Sequence, residues 1–504
     1  MRTGAQSNNA MVRTAHPTVK SMSQVVSLYP WKRAQHLESA HNHLLIDGVN
    51  ALELVERYGS PLFVYSESQL RKNARDILDN FRRVHANTRV CFASKACANL
   101  TVLKVFKDCG LDLEVNSGGE FYKAQIAGFA PAQMVFNGVA KQVQELREVI
   151  GAGIKAINVD SLSELARIQA VASELGRQAR VSLRIIPEIQ GGAAAGWQTG
   201  TSTSKFGMTA AEQNAAIELI LAHPDALKLV GVHAHIGTQI TDISVYQAEA
   251  QFLIDYVRQV AERLPYPLEH LNLGGGFPKN YSSAEANFDT VAPHYRANYR
   301  TQVDFAQLAE QLIKPVSQAL GEQIELIVEP GRSMVSDTAI LLTRIEAHKQ
   351  RQGRPVFYLD AGYSVLFDLY NGWYFHMLNA SRADDRDTQH CRMAGPLCDS
   401  SDTYYDIEGE GAVADLIAEQ PALAQHRAVL EQVLVHQPNL RELPAATAQG
   451  DVIALLDVGA YALEMMSQYC GRQSAAAVLV DLQQGSRLIR RRGEYADLLA
   501  HDLD

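Results

Sequence analysis

Apolar residues follow two different patterns along the chain, and the change falls near residue 336. From about residue 61 to 335, short apolar runs alternate with longer stretches of 3.6-residue periodicity. The runs are continuously hydrophobic, as is typical of parallel strands covered by helices on both faces. Eight of them predict strands: Arg89–Ala96, Leu111–Ser117, Met134–Gly138, Lys155–Ser161, Arg180–Ile186, Leu227–Gly237, Leu268–Gly276 and Ile324–Gly331.

Eight β–α units predict an α/β protein with a (β/α)8 TIM barrel over residues 61–335, and a doubly wound sheet is the alternative. Beyond residue 336, strand-like pieces separated by turns predict a mostly antiparallel β domain. We assign residues 41–60 and 336–504 to that domain, with a helical insertion at about 403–443. The insertion either covers a pocket or only decorates the surface.

Composition and charge narrow the possible classes of protein. The 504 residues carry a net charge of −10, so binding of nucleic acid through a basic surface is not expected. No run of about 18 apolar residues predicts a membrane helix. The six cysteines form no Cys-x-x-Cys pair and suggest reduced thiols, so we place the protein in the cytoplasm. Residues 1–40 are predicted to be a disordered extension, although the first 37 lack acidic residues, as a transit peptide would.

In a TIM barrel, functional side chains lie at the C-terminal ends of the strands. Lys95 ends the first predicted strand behind apolar neighbours, where we expect burial to lower its pKa. This lysine either forms a Schiff base or extends to solvent or a salt bridge.

Gly274, Gly275 and Gly276 end the seventh predicted strand, and Glu329-Pro330-Gly331-Arg332 ends the eighth. Glycines there let backbone N–H groups approach a phosphate, although a tight turn explains the triplet equally well. Arg332 adds a permanent cationic donor for phosphate or carboxylate.

The sixth predicted strand ends with two histidines on one face, His233 and His235. A third metal ligand with suitable spacing is absent, so we predict no metal and favour stacking of His235 on a flat cofactor. A lysine, a phosphate loop, an imidazole and a carboxylate together describe a pyridoxal 5′-phosphate site. Glu329 beside the pyridine nitrogen would favour loss of a substrate's α-carboxylate over racemisation.

Eight stretches carry a resemblance to a known family: FASKACANLTVLKVF, SGGEFYKAQIAG, TSKFGM, HAHIGTQI, LNLGGGFP, EPGRSM, GPLCDSSDTY and GAYALEMMSQY. They occur in order between about residues 60 and 482. On these motifs the chain resembles the diaminopimelate/ornithine/arginine decarboxylase family, of alanine-racemase-like fold, and within it the diaminopimelate decarboxylases. The resemblance implies a pyridoxal-phosphate-dependent decarboxylase, with meso-diaminopimelate as the first candidate substrate.

The resemblance also implies roles for individual residues. Lys95 would form the Schiff base, and Cys398 would return a proton to the reacting carbon. The remaining cofactor contacts would come from Glu114, Arg184, His235, Gly237, Gly274, Gly275, Gly276, Glu329, Gly331, Arg332 and Tyr461. The substrate would contact Arg332, Tyr370, Asp399 and Tyr461. A homodimer with shared active sites is implied, in which the loops carrying Cys398 and Tyr461 need the partner subunit to reach Lys95.

The chain departs from the family pattern at the distal end of the substrate. An Arg-Pro-x-x-Tyr segment usually supplies an arginine for the distal carboxylate, but no arginine precedes Tyr370 here. Asp399 replaces the usual Glu, Glu114 replaces a common Asp, and Cys470 replaces an Asn. Ornithine, lysine or a modified amino acid of secondary metabolism is therefore an alternative substrate, and racemisation is a less favoured alternative reaction.

Overall fold

A computed structural model describes residues 34–191, 199–281, 301, 303–435 and 437–503. Its strands are β1 Leu37–Ala40, β2 His43–Ile46, β3 Val49–Asn50, β4 Leu62–Ser66, β5 Thr88–Ala93, β6 Asp112–Val115, β7 Met134–Phe136, β8 Ala156–Val159, β9 Ala179–Arg184, β10 Leu227–His233, β11 His270–Asn272, β12 Glu325–Val328, β13 Ala339–Arg351, β14 Arg354–Leu359, β15 Met377–Asn379, β16 Thr388–Ala394, β17 Arg441–Pro444, β18 Val452–Leu455, β19 Ala476–Asp481 and β20 Gly485–Arg490.

The α-helices are α1 Ala51–Tyr58, α2 Glu67–Val84, α3 Leu100–Asp108, α4 Gly118–Ile126, α5 Val143–Ala152, α6 Leu162–Leu175, α7 Ala210–Ala222, α8 Ile243–Ala261, α9 Phe305–Leu308, α10 Lys314–Leu320, α11 Arg332–Val335, α12 Ile407–Glu419, α13 Arg427–Leu434 and α14 Ala462–Met465. A π-helical turn, Ala309–Ile313, joins α9 to α10. No helix in the described ranges is long and apolar enough to cross a membrane.

Strands β5 to β12 close into a parallel barrel, which confirms the predicted fold class. Each of the eight predicted runs overlaps one barrel strand, and β5 and β9 begin one residue earlier than predicted. The circle closes where β12 pairs with β5, with Leu326 opposite Thr88. Because the strands are parallel, all eight C-terminal ends open at the same mouth.

Helix α6 illustrates how the local sequence builds the layer outside the barrel. The Ser161 side chain accepts the Glu164 N–H, and Gly176 ends the helix in the left-handed conformation that favours glycine. Leu165, Ile168 and Ala172 are buried at helical spacing, so one apolar stripe faces the barrel. Sequence periodicity and capping residues therefore fix both the limits and the orientation of this helix.

The β domain contains a mixed, mostly antiparallel sheet in the order β17-β16-β14-β13-β4-β19-β20. Strand β18 also pairs with β13, and β15 pairs with β18. Strand β4 corrects one predicted boundary, because residues 61–66 were assigned to the barrel. All five residues of β4 are buried, and the strand pairs with β13 and β19 instead. The barrel segment therefore begins after β4.

The described chain enters the β domain earlier than the sequence indicated. Strand β1 begins at Leu37, within the predicted extension, and pairs with β2; residues 1–33 lie outside the described residues. Apolar residues of β1, β2 and α1 form one buried cluster with residues of β13, β18 and β19. Within the predicted 403–443 insertion, α12 and α13 are present, and α13 has no buried residue.

Candidate active site

Every barrel strand contributes a polar side chain at or near its C-terminal end. The eight residues, in strand order from β5 to β12, are Lys95, Glu114, Asn137, Asn158, Arg184, His233, Asn272 and Glu329. Five of them lie within the strands and three lie one or two residues beyond. This ring defines the candidate active site.

Lys95 lies in a 3-10 turn that follows β5 directly. The residue is solvent-exposed through the barrel mouth, and its ammonium group makes no hydrogen bond with any described residue. The surrounding protein partly desolvates the ammonium and lowers the pKa of Lys95, but Glu114, Tyr461 and Glu329 raise it, and the pKa ends above its ordinary value. The expectation of a lowered pKa was wrong, because the carboxylates of neighbouring strands outweigh desolvation.

Glu114 lies on β6 and is fully buried. Burial raises its pKa to about 8, although the Lys95 ammonium acts in the opposite direction. Asn116 donates to Glu114 Oε2 at 3.1 Å and to Glu120 Oε2 at 3.1 Å, while Ser94 donates to Glu120 at 2.6 Å. Glu120, beside the strand ends, thus links the loop before Lys95 to the loop after β6.

Glu329 follows β12 and is surrounded by hydrogen-bond donors. Asn272 Nδ2 lies 2.6 Å from Oε1, Asn137 Nδ2 lies 2.7 Å from Oε2, and Asn158 Nδ2 lies 3.4 Å from Oε1. His233 Nε2 lies 3.3 Å from Oε2. Burial raises the pKa of Glu329, but His233 and the amide donors lower it more, to about 2. The carboxyl group is therefore ionised.

Sequence reasoning missed the three asparagines around Glu329. Each is a polar residue inside or directly after an apolar barrel strand, and that signal was present in the sequence. His233 was considered only as a metal ligand, whereas here it lies against Glu329. The described residues contain no group of three or more side chains arranged to hold a metal ion.

The glycine triplet packs tightly against neighbouring loops. Gly274 and Gly276 have φ values of 61° and 83°, which disfavour other residues. A side chain on Gly275 would collide with the Glu329 carbonyl oxygen. The Gly275 N–H donates to His235 Nδ1 at 3.1 Å, and burial lowers the pKa of His235 well below its ordinary value. His235 is therefore a neutral acceptor that is oriented by the loop.

Arg184 ends β9, as predicted, and is buried. Its guanidinium lies 3.8 Å from Asp160 and 4.3 Å from the centre of the Phe206 ring. Burial lowers the pKa of Arg184, and Asp160 opposes that effect. The Arg184 guanidinium is thus a positively charged group held in place at the end of β9, at the barrel mouth.

Tyr461 reaches the barrel mouth within its own chain. Its N–H donates to the Ala96 carbonyl at 2.7 Å, and the side chain of Glu464, in the adjoining helix α14, accepts the Ala98 N–H at 2.9 Å. The expectation that Tyr461 needs a partner subunit to reach Lys95 was therefore wrong. One backbone hydrogen bond and one bond to the Glu464 side chain hold this segment, and sequence alone could not reveal them.

Arg332 begins α11 and lies between aromatic rings. Its guanidinium is 4.7 Å from the Trp373 ring centre and 4.8 Å from that of Tyr461, and it donates to the Tyr281 hydroxyl at 3.1 Å. Burial lowers the pKa of Arg332, but Tyr281 and Tyr461 act in the opposite direction, and this pKa ends above its ordinary value. This arginine therefore joins the barrel to the β-domain loop that carries Tyr461.

Cys398 and Asp399 lie in a separate cluster of the β domain. Cys398 is exposed. Asp399 accepts the Tyr363 hydroxyl at 2.7 Å and the Tyr469 hydroxyl at 3.3 Å. Tyr370, which is 59% exposed, lies 5.5 Å from Tyr363 between ring centres. The cluster combines one carboxylate with three phenols, and the two added tyrosines were not predicted from the sequence.

Three observations show that the barrel mouth fits pyridoxal phosphate. Lys95 has an unpaired amine among the described residues, and Glu114 Oε1 is buried without a hydrogen-bond partner. Within the described ranges, the N–H groups of Gly237, Gly276 and Gly331 also have no acceptor. These three amides follow adjacent strands, so they can serve one phosphate group.

Comparison with known proteins agrees with this geometry. A family model described as pyridoxal-dependent decarboxylase, pyridoxal binding domain, matches residues 67–336. Diaminopimelate decarboxylase of Methanocaldococcus jannaschii is 32% identical, covering 93% of this chain and 96% of the relative. The enzyme of that name from Neisseria meningitidis serogroup B is 32% identical, covering 89% and 94%.

Solved structures that resemble this chain include crystal structures of diaminopimelate decarboxylases. The crystal structure of the M. jannaschii diaminopimelate decarboxylase in complex with L-lysine has a TM-score of 0.77 and 30% identity, covering 93% of this chain and 98% of that chain. The crystal structure of the Helicobacter pylori diaminopimelate decarboxylase complexed with L-lysine has a TM-score of 0.71 and 25% identity, covering 89% and 98%.

The barrel, the β domain and the polar ring therefore define a carboxy-lyase of the alanine-racemase-like fold, as the sequence motifs predicted. The chain belongs to the family of pyridoxal-dependent decarboxylases. Relatives that match about nine-tenths of its length include several named diaminopimelate decarboxylase.

Proposed function

We propose that the protein removes one carboxylate of meso-diaminopimelate to release lysine and carbon dioxide, with pyridoxal phosphate bound in the barrel mouth. The observation that carries the proposal is the convergence of Lys95, Glu114 and Glu329 at one mouth, in a chain whose relatives are named for this reaction. Lysine is what remains when diaminopimelate loses one carboxylate. The relatives crystallised with L-lysine support that choice of substrate.

Pyridoxal phosphate, when bound, supplies an aromatic ring that accepts the electron pair left on the substrate's Cα after carbon dioxide departs. Lys95 would hold the cofactor covalently through its aldehyde carbon. Glu329, ionised at neutral pH, would keep a proton on the pyridine nitrogen. His235 would lie against the ring, and the backbone amides of Gly276 and Gly331 would bind the phosphate.

The proton that replaces carbon dioxide has to come from a side chain beside Cα. We assign this role to Cys398, which is exposed and has Asp399 as its neighbour. Asp399, Tyr363, Tyr370 and Tyr469 would receive the distal end of the substrate. A carboxylate with three phenols favours a distal ammonium group, and these four side chains include no arginine for a distal carboxylate. An ornithine- or lysine-like substrate is therefore the second candidate.

The proposal is tested by measuring carbon dioxide release from meso-diaminopimelate, ornithine, lysine and arginine in both enantiomers. We expect meso-diaminopimelate to give the highest kcat/KM. Lys95→Ala should abolish both turnover and the visible absorbance of lysine-bound cofactor. Exchange of the Cα hydrogen with deuterium, without release of carbon dioxide, would contradict decarboxylation and favour a racemase.

We also infer a homodimer in which the Cys398 loop of one subunit completes the other subunit's site. Lys95→Ala chains and Cys398→Ala chains should each be inactive alone. Mixed in equal amounts, they should recover about a quarter of wild-type activity, since half of the dimers are mixed and each has one intact site. Absence of recovery in a dimer of confirmed mass would show that the sites are not shared.

A further inference from the structure

Hydrogen-bond donors from several barrel strands surround Glu329. Four barrel strands other than β12 direct side chains to this one carboxylate: Asn137 after β7, Asn158 on β8, His233 on β10 and Asn272 on β11. All four side chains are buried, with exposures of 8%, 0%, 0% and 0% respectively. We call Asn137, Asn158 and Asn272 the amide collar.

The amide collar solvates the negative charge of Glu329 without neutralising it. Amide N–H groups are neutral donors, and burial lowers the pKa of His233, so this imidazole is also largely neutral. A buried carboxylate without a countercharge is costly unless its lone pairs are occupied by donors. Here both oxygens have donors, and the full charge is left for a cation in the mouth.

A buried ion pair between Lys141 and Glu164 contacts the backbone of the amide collar. Lys141 Nζ donates to the Asn158 carbonyl at 2.8 Å, to the Gly138 carbonyl at 2.7 Å and to Glu164 at 2.7 Å. Asn158 Nδ2 in turn donates to Asn137 Oδ1. The ends of β7 and β8 are thus fixed, which limits the rotation of both amides.

Asn272 has a second contact that links the amide collar to the glycine triplet. Its Oδ1 accepts the Gly274 N–H at 2.9 Å while its Nδ2 donates to Glu329. One side chain therefore sets the spacing between the carboxylate and the start of the glycine triplet.

Resting on the proposed function, we propose that Asn137, Asn158 and Asn272 are positioning residues that keep Glu329 charged and aimed at the cationic ring nitrogen of pyridoxal phosphate. The ionisable groups that face Glu329 from the other strands are Lys95, Cys91, Glu114, Arg184, His233 and His235. The two cations among them lie on β9 and after β5, and neither forms an ion pair with Glu329 in the described chain.

The test compares two variants, Asn272→Asp and Asn137→Asp. Each removes one N–H donor, retains the Oδ1 acceptor and adds an acid that shares a proton with Glu329. Pyridoxal phosphate is titrated into the apoproteins, and the visible spectrum of each loaded protein is recorded between about pH 6 and pH 9. We expect the dissociation constant of the cofactor to rise about tenfold or more. We also expect the spectrum to change with pH in both variants and to stay constant in wild type.

Asn379→Asp provides the matched control. Asn379 is equally buried in the β domain, its Oδ1 accepts the N–H two residues ahead at 3.0 Å, and its Nδ2 donates to Asp451 at 2.9 Å. This variant should lose thermal stability but keep the wild-type affinity and spectrum. If Asn272→Asp and Asn137→Asp behave like it, the positioning role is wrong and the proposed function stands. If wild type does not bind pyridoxal phosphate, both proposals fail.

Discussion

The buried ion pair of Lys141 and Glu164 gives the sharpest stability prediction. Both side chains are essentially inaccessible, at 0% and 1% exposure, and Nζ lies 2.7 Å from the carboxylate. The ammonium also donates to the Gly138 and Asn158 carbonyl groups. Lys141→Met keeps the length and apolar bulk of the side chain but removes all three donors.

The expected loss follows from what remains buried after the substitution. Glu164 keeps the Asp160 N–H at 3.2 Å but loses its ion-pair partner, and two carbonyl groups lose a donor. Removing one member of a buried ion pair costs about 3–5 kcal/mol. In the double variant Lys141→Met/Glu164→Gln the unpaired charge is gone, so its loss should be smaller than the sum of the two single losses.

The assay is denaturant unfolding of the apoprotein, followed by circular dichroism, for both single variants and the double variant. Lys314→Met is the control, because Lys314 and Glu310 form an ion pair of 2.6 Å at 48% and 42% exposure. That exposed pair should contribute about 1 kcal/mol or less. Equal losses for Lys141→Met and Lys314→Met, or strict additivity in the double variant, would refute the argument from burial.

Two further predictions concern pH and the insertion. Burial raises the pKa of Glu114 from 4.5 to about 8, so its protonated form stabilises the folded apoprotein at low pH. That stability is lost as the pH rises through about 8, and Glu114→Gln should flatten the fall in Tm between pH 5 and pH 9, whereas parallel curves would exclude this role. Replacing residues 407–434 by a short Gly-Ser linker should lower Tm, because α12 buries Gly409 and Val413, but should leave kcat/KM within about twofold of wild type. Helix α13 buries no residue, and Gly409 lies against Val435, so the two ends of the segment are close together. A large loss of kcat/KM in the folded variant would mean that the insertion covers the active site.

The barrel was predictable because its signal is local. A parallel strand covered on both faces is a short continuous apolar run, and eight such runs occur in order. Strand β4, of sequence LFVYS, has the same appearance, yet it pairs with β13 and β19 in the β domain. Its apolar residues indicate a buried strand but not which sheet contains it, because its partners are far away in sequence.

The positions of Lys95 and Glu329 at the barrel mouth were predictable because each is a charged residue at the end of an apolar run, whereas Arg184 was indicated only by the family resemblance. The amide collar was missed although each asparagine stands inside or directly after an apolar run, because nothing in the sequence shows that the three side chains converge on Glu329. The pKa of Lys95 was predicted in the wrong direction, since its value depends on Glu114 and Glu329, which reach it from other strands. Such effects depend on the closed barrel rather than on any segment.

The position of β4 has a consequence for synthesis of the chain. Leu62–Ser66 leaves the ribosome before any barrel strand, but β13 and β19, between which it lies, come only after the whole barrel segment. Until then both edges of an apolar strand are open, and open edges promote association between chains. A truncated product that stops near residue 336 should therefore aggregate rather than accumulate as a free barrel.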